Sequence, residues 1–350
     1  MLERLSIGID IGGTKVAAGV VDVDGGLREL LHRETPSGSA RDVEDTVASL
    51  VAELRRRHEV VAVGIGAAGF VDSARATVLF SPHLAWRHEP LRDAVHRRTG
   101  MSVVVENDAN AAAWAEWRFG AAQNEPDLVC LTLGTGIGGA LVLGGQLYRG
   151  RNGVAGEFGH QQLVPDGQPC ECGNRGCWEQ YASGNVLLRA ARAAIESGAA
   201  MARPLAEICA GDPDILTGPQ ITELAERGDP LAVQLYTQIG TWLGVGIANL
   251  AAGLDPGVFV VGGGVSDAGE LLLAPARDAY RRSLTGGGYR PEARIVQAHL
   301  GNAAGLIGAA DLARSARRRR SSRSRSSGRR RARWSATMTG TAVPPDRFSR

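Results

Sequence analysis

Lysine is almost missing from this chain: Lys15 is the only one among 39 basic residues. The bias fits GC-rich coding, yet a lone lysine kept inside a glycine loop points to chemistry at that position. Also missing is any apolar run long enough to span a membrane. The N-terminus passes straight into Leu5-Ser6-Ile7-Gly8-Ile9-Asp10, without the basic region and apolar stretch of a secretory leader. A cytoplasmic location is therefore expected. No Walker A loop is found, which removes the commonest phosphate cradle. Cysteine is scarce, five in 350 residues, but three of the five crowd into one loop.

The remaining composition, 44% hydrophobic and 22% charged, suits one large or two medium domains. The net charge of +2 hides an asymmetry: residues 314–350 hold thirteen arginines against the single acid Asp346, leaving that end at +12 and residues 1–313 near −10. An acidic body argues against a folded nucleic-acid-binding surface. Residues 315–350 read as a low-complexity Arg/Ser tail, expected to be disordered. Neither a membrane nor a specific nucleic acid is expected as its partner.

The densest chemistry lies between Glu157 and Glu179. His160, Cys170, Cys172 and Cys177 are four ligand-type side chains, the number that structural zinc takes tetrahedrally. Gly173 and Gly176 give the backbone freedom to fold a knuckle around a metal. Clustered thiols also suit disulfides, although a reducing compartment favours the metal. Glu157 and Glu179 are carboxylates that such a site does not need. Cys130 and Cys209 read as ordinary core or helix thiols.

Along the chain, strands are expected at Ser6–Asp10, Val16–Val23, Val60–Ile65 and Val103–Val105. Val43, Val47, Leu50, Val51 and Leu54 recur at helical spacing, and Leu91–Arg98 reads as a short helix. The pattern restarts with a strand at Leu128–Leu133, a turn over Gly134–Gly139 and a returning strand at Ala140–Leu143. A long helix over Leu231–Leu250, a buried strand at Val258–Val261 and a last helix over Ala303–Arg314 follow. Two units opening with strand, glycine turn and strand imply an internal duplication. The expected architecture is two α/β lobes with a cleft between them.

Three glycine loops follow strands: Asp10-Ile11-Gly12-Gly13-Thr14-Lys15, Gly134-Thr135-Gly136-Ile137-Gly138-Gly139, and Gly262-Gly263-Gly264. Glycine lets backbone N–H groups approach phosphate oxygens without a Cβ in the way. The second loop has the G-x-G-x-x-G spacing, but it opens a strand rather than a helix, which disfavours a dinucleotide fold. Asp10 beside Thr14 and Lys15 suits magnesium and phosphate positioning, or else Asp10 caps its own turn. Asn107-Asp108 closes a strand at a helix start. Asp108 suits a base for an attacking hydroxyl with Asn107 orienting the same substrate, and it equally suits a helix N-cap. Together these features point to phosphoryl transfer onto a polyol.

The Asp10–Lys15 loop, Glu106-Asn107-Asp108, Leu133–Gly139 and the Glu157–Glu179 knuckle resemble those of the ROK family of repressors and sugar kinases. The resemblance covers about residues 5–313. It implies an actin/hexokinase-like (ribonuclease H-like) duplicated two-lobe fold with its active site between the lobes. Residues 1–117 would form the first lobe, completed by the helix at 303–314, and residues 118–302 the second, with the knuckle at 157–179. It implies ATP-dependent phosphorylation of glucose at O6, with Mg²⁺, a structural Zn²⁺ and Asp108 as base. Asn107, Glu157, His160 and Glu179 would hold the other hydroxyls, His160 using one ring nitrogen for zinc and the other for sugar. Gly12, Gly13, Thr14, Lys15, Gly134, Thr135, Gly136, Gly138 and Gly262–Gly264, with Asp10, would handle the nucleotide. A homo-oligomer, dimer or tetramer, is implied as well.

Two departures from the family pattern stand out: alanine in Gly66-Ala67-Ala68-Gly69 where proline is common, and His83 where many relatives have asparagine. The second leaves open a kinase for fructose, mannose or an N-acetylhexosamine. A repressor of the same family would carry a helix-turn-helix ahead of the glycine loop, whereas nine residues precede Asp10. A non-catalytic sugar-responsive regulator and a polyphosphate-dependent kinase also stay open, the knuckle favouring ATP over polyphosphate.

Overall fold

The computed structural model describes residues 4–81, 84 and 86–317. His83 and the Arg/Ser stretch beyond residue 317 lie outside the described residues. The first half runs β1 (Leu5–Ile11), β2 (Lys15–Val21), β3 (Leu27–Glu34), α1 (Ala40–Arg55) and β4 (Val60–Ala67). A small antiparallel trio follows, β5 (Phe70–Val71), β6 (Val78–Phe80) and β7 (Arg87–Glu89), then α2 (Leu91–Thr99), β8 (Val103–Asn107) and α3 (Asp108–Phe119). The second half runs β9 (Leu128–Leu133), β10 (Ile137–Leu143) and β11 (Gln146–Tyr148). Helices α4 (Glu179–Ala182), α5 (Gly184–Glu196), α6 (Arg203–Ile208), α7 (Gly218–Glu226) and α8 (Pro230–Leu254) come next, then β12 (Val258–Gly262), α9 (Glu270–Ser283) and β13 (Arg294–Gln297). A last helix, α10, occupies 304–317. No helix among the described residues is long and apolar enough to cross a membrane.

The two main sheets have the same topology. The first is ordered β3-β2-β1-β4-β8 and the second β11-β10-β9-β12-β13, each with an antiparallel three-strand edge and two further parallel strands. This is the duplication that the repeated strand–turn–strand pattern implied, and it makes the molecule a two-lobe α/β protein of the actin/hexokinase-like type.

The alternation within β1 shows how sequence dictates packing. Successive strand residues face opposite sides, so Ile7, Ile9 and Ile11 enter the core beneath α1, while Gly8 turns toward α10. A Cβ on Gly8 would stand 1.9 Å from the Leu306 carbonyl oxygen, and one on Gly64 of β4 1.8 Å from that of Ala309. The glycines let α10 lie directly on the sheet backbone. On its other side α3 meets α10 in the same way, since a Cβ on Gly308 would stand 1.8 Å from the Ala111 carbonyl. Helix α3 also packs on β9 and β10, so α3 and α10 form a layer between the two sheets. Helix α1 presents Val43, Val47, Leu50, Val51 and Leu54 to the first core, with Ser39 and Asp42 closing a capping box at its start.

Some boundaries differ from the sequence reading. Strand β10 starts at Ile137, so Gly138 and Gly139 are strand residues rather than turn. The cause is tertiary: a Cβ on Gly139 would meet the Gly156 carbonyl at 2.4 Å and the Phe158 ring at 2.5 Å. Helix α10 also runs three residues past the expected Arg314.

Candidate active site

Between Glu157 and Glu179 the chain folds back on itself through the bridges Gln162–Cys177 and Pro169–Arg175. A tight turn over Cys170–Asn174 closes the end, with Cys170 N donating to the Asn174 carbonyl at 2.9 Å and Gly173 N to that of Cys170 at 3.0 Å. Gly173 and Gly176 have φ of +92° and +76°, a region that side chains rarely adopt. The fold gathers one ligand atom each from His160, Cys170, Cys172 and Cys177 within 4.8 Å of one another. Cys170 Sγ lies 3.6 Å from His160 Nδ1, and Cys172 Sγ lies 3.6 Å from Cys177 Sγ. The edge of a zinc–thiolate tetrahedron is about 3.8 Å for bonds of about 2.3 Å, so the donor set fits zinc in number, kind and spacing. No disulfide forms: all five cysteines are free, and these sulfurs stand far outside the S–S bond length of about 2.05 Å.

His160 turns Nδ1 toward the thiols, which leaves Nε2 as the nitrogen for other work. Glu179 Oε1 lies 3.1 Å from Cys170 Sγ and 3.4 Å from His160 Nδ1. Its Oε2 accepts from Ile137 N at 3.4 Å, so one carboxylate touches both the knuckle and the second glycine turn. Trp178, fully buried, anchors the exit of the knuckle: Nε1 donates to the Trp242 carbonyl at 3.0 Å. Its ring fills the space over Gly246, where a Cβ would stand 2.0 Å away.

Across from this loop, β8 ends at Asn107 and α3 begins at Asp108. Asn107, not Asp108, is the N-cap: its Oδ1 accepts from Asn110 N at 2.9 Å. This resolves the capping question and releases the Asp108 carboxylate from that duty. Asn107 Nδ2 donates to Asp108 Oδ1 at 2.9 Å and to the Gly69 carbonyl at 3.1 Å, so the amide's two donors hold the Asp108 carboxylate and the neighbouring turn. Asp10, near the end of β1, pairs in register with Gly66 of β4. A Cβ on Gly66 would lie 3.7 Å from both Asp10 Oδ1 and Asp108 Cα. Gly66 thus lies between the two acids, which share one end of the sheet.

Electrostatics links these groups. Burial first, and then the Asp108 charge, push the Asp10 carboxyl up to about 7, while Lys15 draws it down. Glu157 is solvent-accessible yet sits deep enough in the cleft for desolvation to raise it. Asp108 and Glu179 raise it further, and His160 opposes them. Asp10, Asp108, Glu157, Glu179, His160 and Lys15 are thus close enough to act on one another's charge. A buried carboxyl that a neighbouring acid holds protonated, as Asp108 does Asp10, fits a divalent cation.

The first and second glycine turns share a construction. Gly12 N donates to the Lys15 carbonyl and Gly134 N to that of Gly136, each at 3.0 Å. Thr35 braces the first turn through its Oγ1 to the Gly12 carbonyl at 2.8 Å. Gly184 N braces the second, to the Gly134 carbonyl at 2.8 Å. Gly13, Thr14, Lys15, Gly134 and Thr135 are exposed. Gly262 closes β12, and Gly263, at φ +84°, passes so close to β9 that a Cβ would stand 2.4 Å from the Leu133 carbonyl. The second and third turns therefore meet at the ends of adjacent strands, whereas Gly138 lies within β10, where a Cβ would crowd Thr132 Oγ1 at 2.4 Å.

A buried ionic cluster that sequence alone gave no role to lies beside Asn107 and Asp108. Glu106, 2% exposed, accepts from Arg149 Nε and a terminal nitrogen at 2.9 and 2.7 Å, and Arg75 Nε lies 3.3 Å away. Glu106 precedes Asn107, and Arg149 begins the loop carrying Glu157. The motif containing Glu106 was visible in the sequence, but its two distant arginines were not.

Comparison with known proteins agrees with this geometry. The ROK family profile matches residues 6–316. The chain is 50% identical over 310 residues to a glucokinase of Streptomyces coelicolor, covering 89% of this chain and 98% of that one. It is 35% identical over 313 residues to a glucokinase of Thermotoga maritima, covering 88% and 96%. Among solved structures, a ROK family glucokinase from Streptomyces griseus in complex with glucose and AMPPNP superposes with a TM-score of 0.82 at 53% identity, covering 89% of this chain and 99% of that one.

Proposed function

The chain belongs to the ROK family, and we propose that it is a glucokinase transferring the γ-phosphoryl group of ATP to O6 of glucose. The observation that carries this reading is the convergence of Asp108, freed from helix capping, with the acidic and imidazole groups of a four-ligand knuckle. Likeness over nearly the full length to glucokinases, one of them solved with glucose and AMPPNP, supports the substrate pair.

In the transfer, the Asp108 carboxylate takes the proton of the glucose 6-hydroxyl as O6 attacks the γ-phosphorus. The bond from that phosphorus to the ADP oxygen breaks, and ADP leaves with the electron pair. The Asn107 amide fixes the plane of the carboxylate through Oδ1, so the base is oriented before the sugar arrives. Glu157, Glu179 and His160 Nε2 hold the remaining hydroxyls, and a sugar lacking one would leave a buried polar group unpaired. Lys15 and Thr14 on one side, and the N–H groups of Thr135 and Gly136 and of Gly263 and Gly264 on the other, meet the phosphates, with Gly134 and Gly262 shaping those turns. Asp10 is the residue that would hold Mg²⁺, whose chemistry is to neutralise charge on the transferring phosphoryl group. His160 Nδ1 and the thiolates of Cys170, Cys172 and Cys177 would hold zinc, which fixes the imidazole's tautomer and ring orientation.

The test is ADP release with Mg·ATP against glucose, mannose, fructose, N-acetylglucosamine and N-acetylmannosamine. Glucose is expected to give the highest kcat/KM, and Asp108→Asn to lower kcat by at least about 10²-fold, the scale of a positioned base. Preference for another sugar would move the substrate assignment, and an unchanged kcat in the Asp108→Asn protein would remove the base.

A further inference from the structure

The chain passes from the first lobe to the second just after α3 and returns just before α10, and one side chain holds both crossings. Glu116, on α3, is 1% exposed. Its Oε2 accepts from Ala121 N at 2.8 Å, on the outward crossing. On the return, Oε1 accepts from Leu300 N at 2.8 Å and both oxygens accept from His299 N, at 3.0 and 3.1 Å. Its own carbonyl accepts from Gly120 N and Ala122 N, each at 3.1 Å. Gly120 is a glycine for this reason: a Cβ there would stand 2.0 Å from Glu116 Oε2.

Buried carboxylates are ordinarily paired with a cation. Among the described residues Glu116 has no ion pair, and the donors that reach its carboxylate are backbone N–H groups of the two crossings. Asp311 of α10 provides the contrast. It takes Trp114 Nε1 at 2.8 Å and Arg118 Nε at 3.3 Å from α3 and Arg314 at 2.5 Å from its own helix, which locks α3 and α10 into one unit. Glu116 then fastens the connecting strands to that unit. Asp108 lies eight residues away on the same helix, about 12 Å at 1.5 Å per residue.

We propose that Glu116 is a positioning residue that fixes the pivot of lobe closure, so that closing carries the nucleotide turns of the second lobe onto a constant relation with Asp108. Hinges in two-lobe enzymes are the few residues that absorb the backbone rotation. Here the flanking peptides rotate while the amides of Ala121, His299 and Leu300 stay on the carboxylate. The proposal rests on the kinase reading only in needing closure around glucose and nucleotide.

The test uses the full chain and the variant Glu116→Gln, which keeps the shape but turns an N–H₂ toward a backbone N–H. A loosened pivot populates the closed state less, and apparent affinity falls with that population. KM for glucose is expected to rise roughly tenfold, with kcat changing less than about threefold, well below the melting temperature. A folded variant with KM within about twofold of the parent overturns the proposal, because a merely structural role would lower the melting temperature alone. Should the variant fail to fold, amide hydrogen exchange on the parent decides. The amides of Ala121, His299 and Leu300 are expected to stay protected and unchanged when glucose and AMPPNP are added. Rapid exchange there, or a change on adding ligand, overturns the pivot. Parent protein that phosphorylates no sugar would instead defeat the kinase reading, which separates the two failures.

Discussion

The buried carboxyl of Asp10 allows a prediction in which activity and stability move in opposite directions. Its proton is held to about 7 against an ordinary 3.8, by burial first and by the Asp108 charge second. Between those values the folded state binds a proton that the unfolded chain has released. Stability contributed by that proton is complete below about pH 4 and is lost as pH rises through about 7. Each tenfold gain in proton affinity corresponds to about 1.36 kcal/mol, so the loss approaches about 4 kcal/mol and, after local relaxation, lies in the range of roughly 2–4 kcal/mol. Asparagine cannot ionise, and Asp10→Asn escapes the loss. With an unfolding entropy of about 2.1 cal/mol/K per residue over roughly 310 residues, the variant should melt about 3–6 °C above the parent at pH 8. Near pH 4 the two should melt together. Scanning calorimetry of both proteins from pH 4 to 8.5, without nucleotide or divalent cation, measures this directly. Titration of the cysteine and histidine ligands is common to both and cancels in the difference. Added Mg²⁺ should narrow the gap by stabilising only the parent, and activity should be lost in the variant. A gap that does not change with pH, or a variant less stable at pH 8, would refute the reasoning.

Two further perturbations probe the metal and the packing. Cys172→Ser should lower bound zinc, measured by atomic emission, well below one per chain and should loosen the loop carrying His160 and Glu179, raising KM for glucose; unchanged glucose affinity in a zinc-free variant would break that coupling. Gly64→Ala places a Cβ 1.8 Å from the Ala309 carbonyl, where only backbone can move. Overpacking of this kind costs at least about 1–3 kcal/mol, so the variant should melt several degrees lower or fail to accumulate, and a parental melting temperature would contradict the packing.

Much of the site was legible because its signals are local. A glycine turn after a β-branched strand, and a Cys-x-Cys followed by a third cysteine, carry their chemistry within a few residues. What was not legible depends on partners far along the chain. Gly138 and Gly139 have the same spacing as a phosphate loop, yet the Phe158 ring and the Gly156 carbonyl claim that space, and β10 starts early. Nothing local to Gly8 and Gly64 calls for glycine inside a strand; the need comes from α10, which arrives from the other end of the sequence. Asn107 and Asp108 are both good caps by type, and only the geometry of Asn110 N decides between them. The trio β5–β7 and the six-residue α6 are too short to show a period, whereas α5 and α7 are amphipathic and could have been read from their apolar faces.

The repeated topology also explains why the two lobes do different work. Asp10 stands one residue before the end of β1, opposite Gly66 of the parallel neighbour, and Thr132 stands one residue before the end of β9, opposite Gly262. The two positions are structurally equivalent, and each following turn is closed by its first glycine N–H, to the third residue on in the first lobe and to the second in the shorter turn of the second. Where the first lobe has a carboxylate, the second has a hydroxyl. Burial and a neighbouring acid raise the proton affinity of Asp10 unless a cation arrives, and that suits the lobe that also holds Asp108. On the proposed reading, a second acid beside the Gly134 and Gly262 turns would add repulsion toward the phosphates with no cation of its own to offset it. The hydroxyl adds no charge there. Duplication supplied two similar strand ends, and on the proposed reading aspartate rather than threonine at one register position puts the cation ligand in the lobe that holds Asp108.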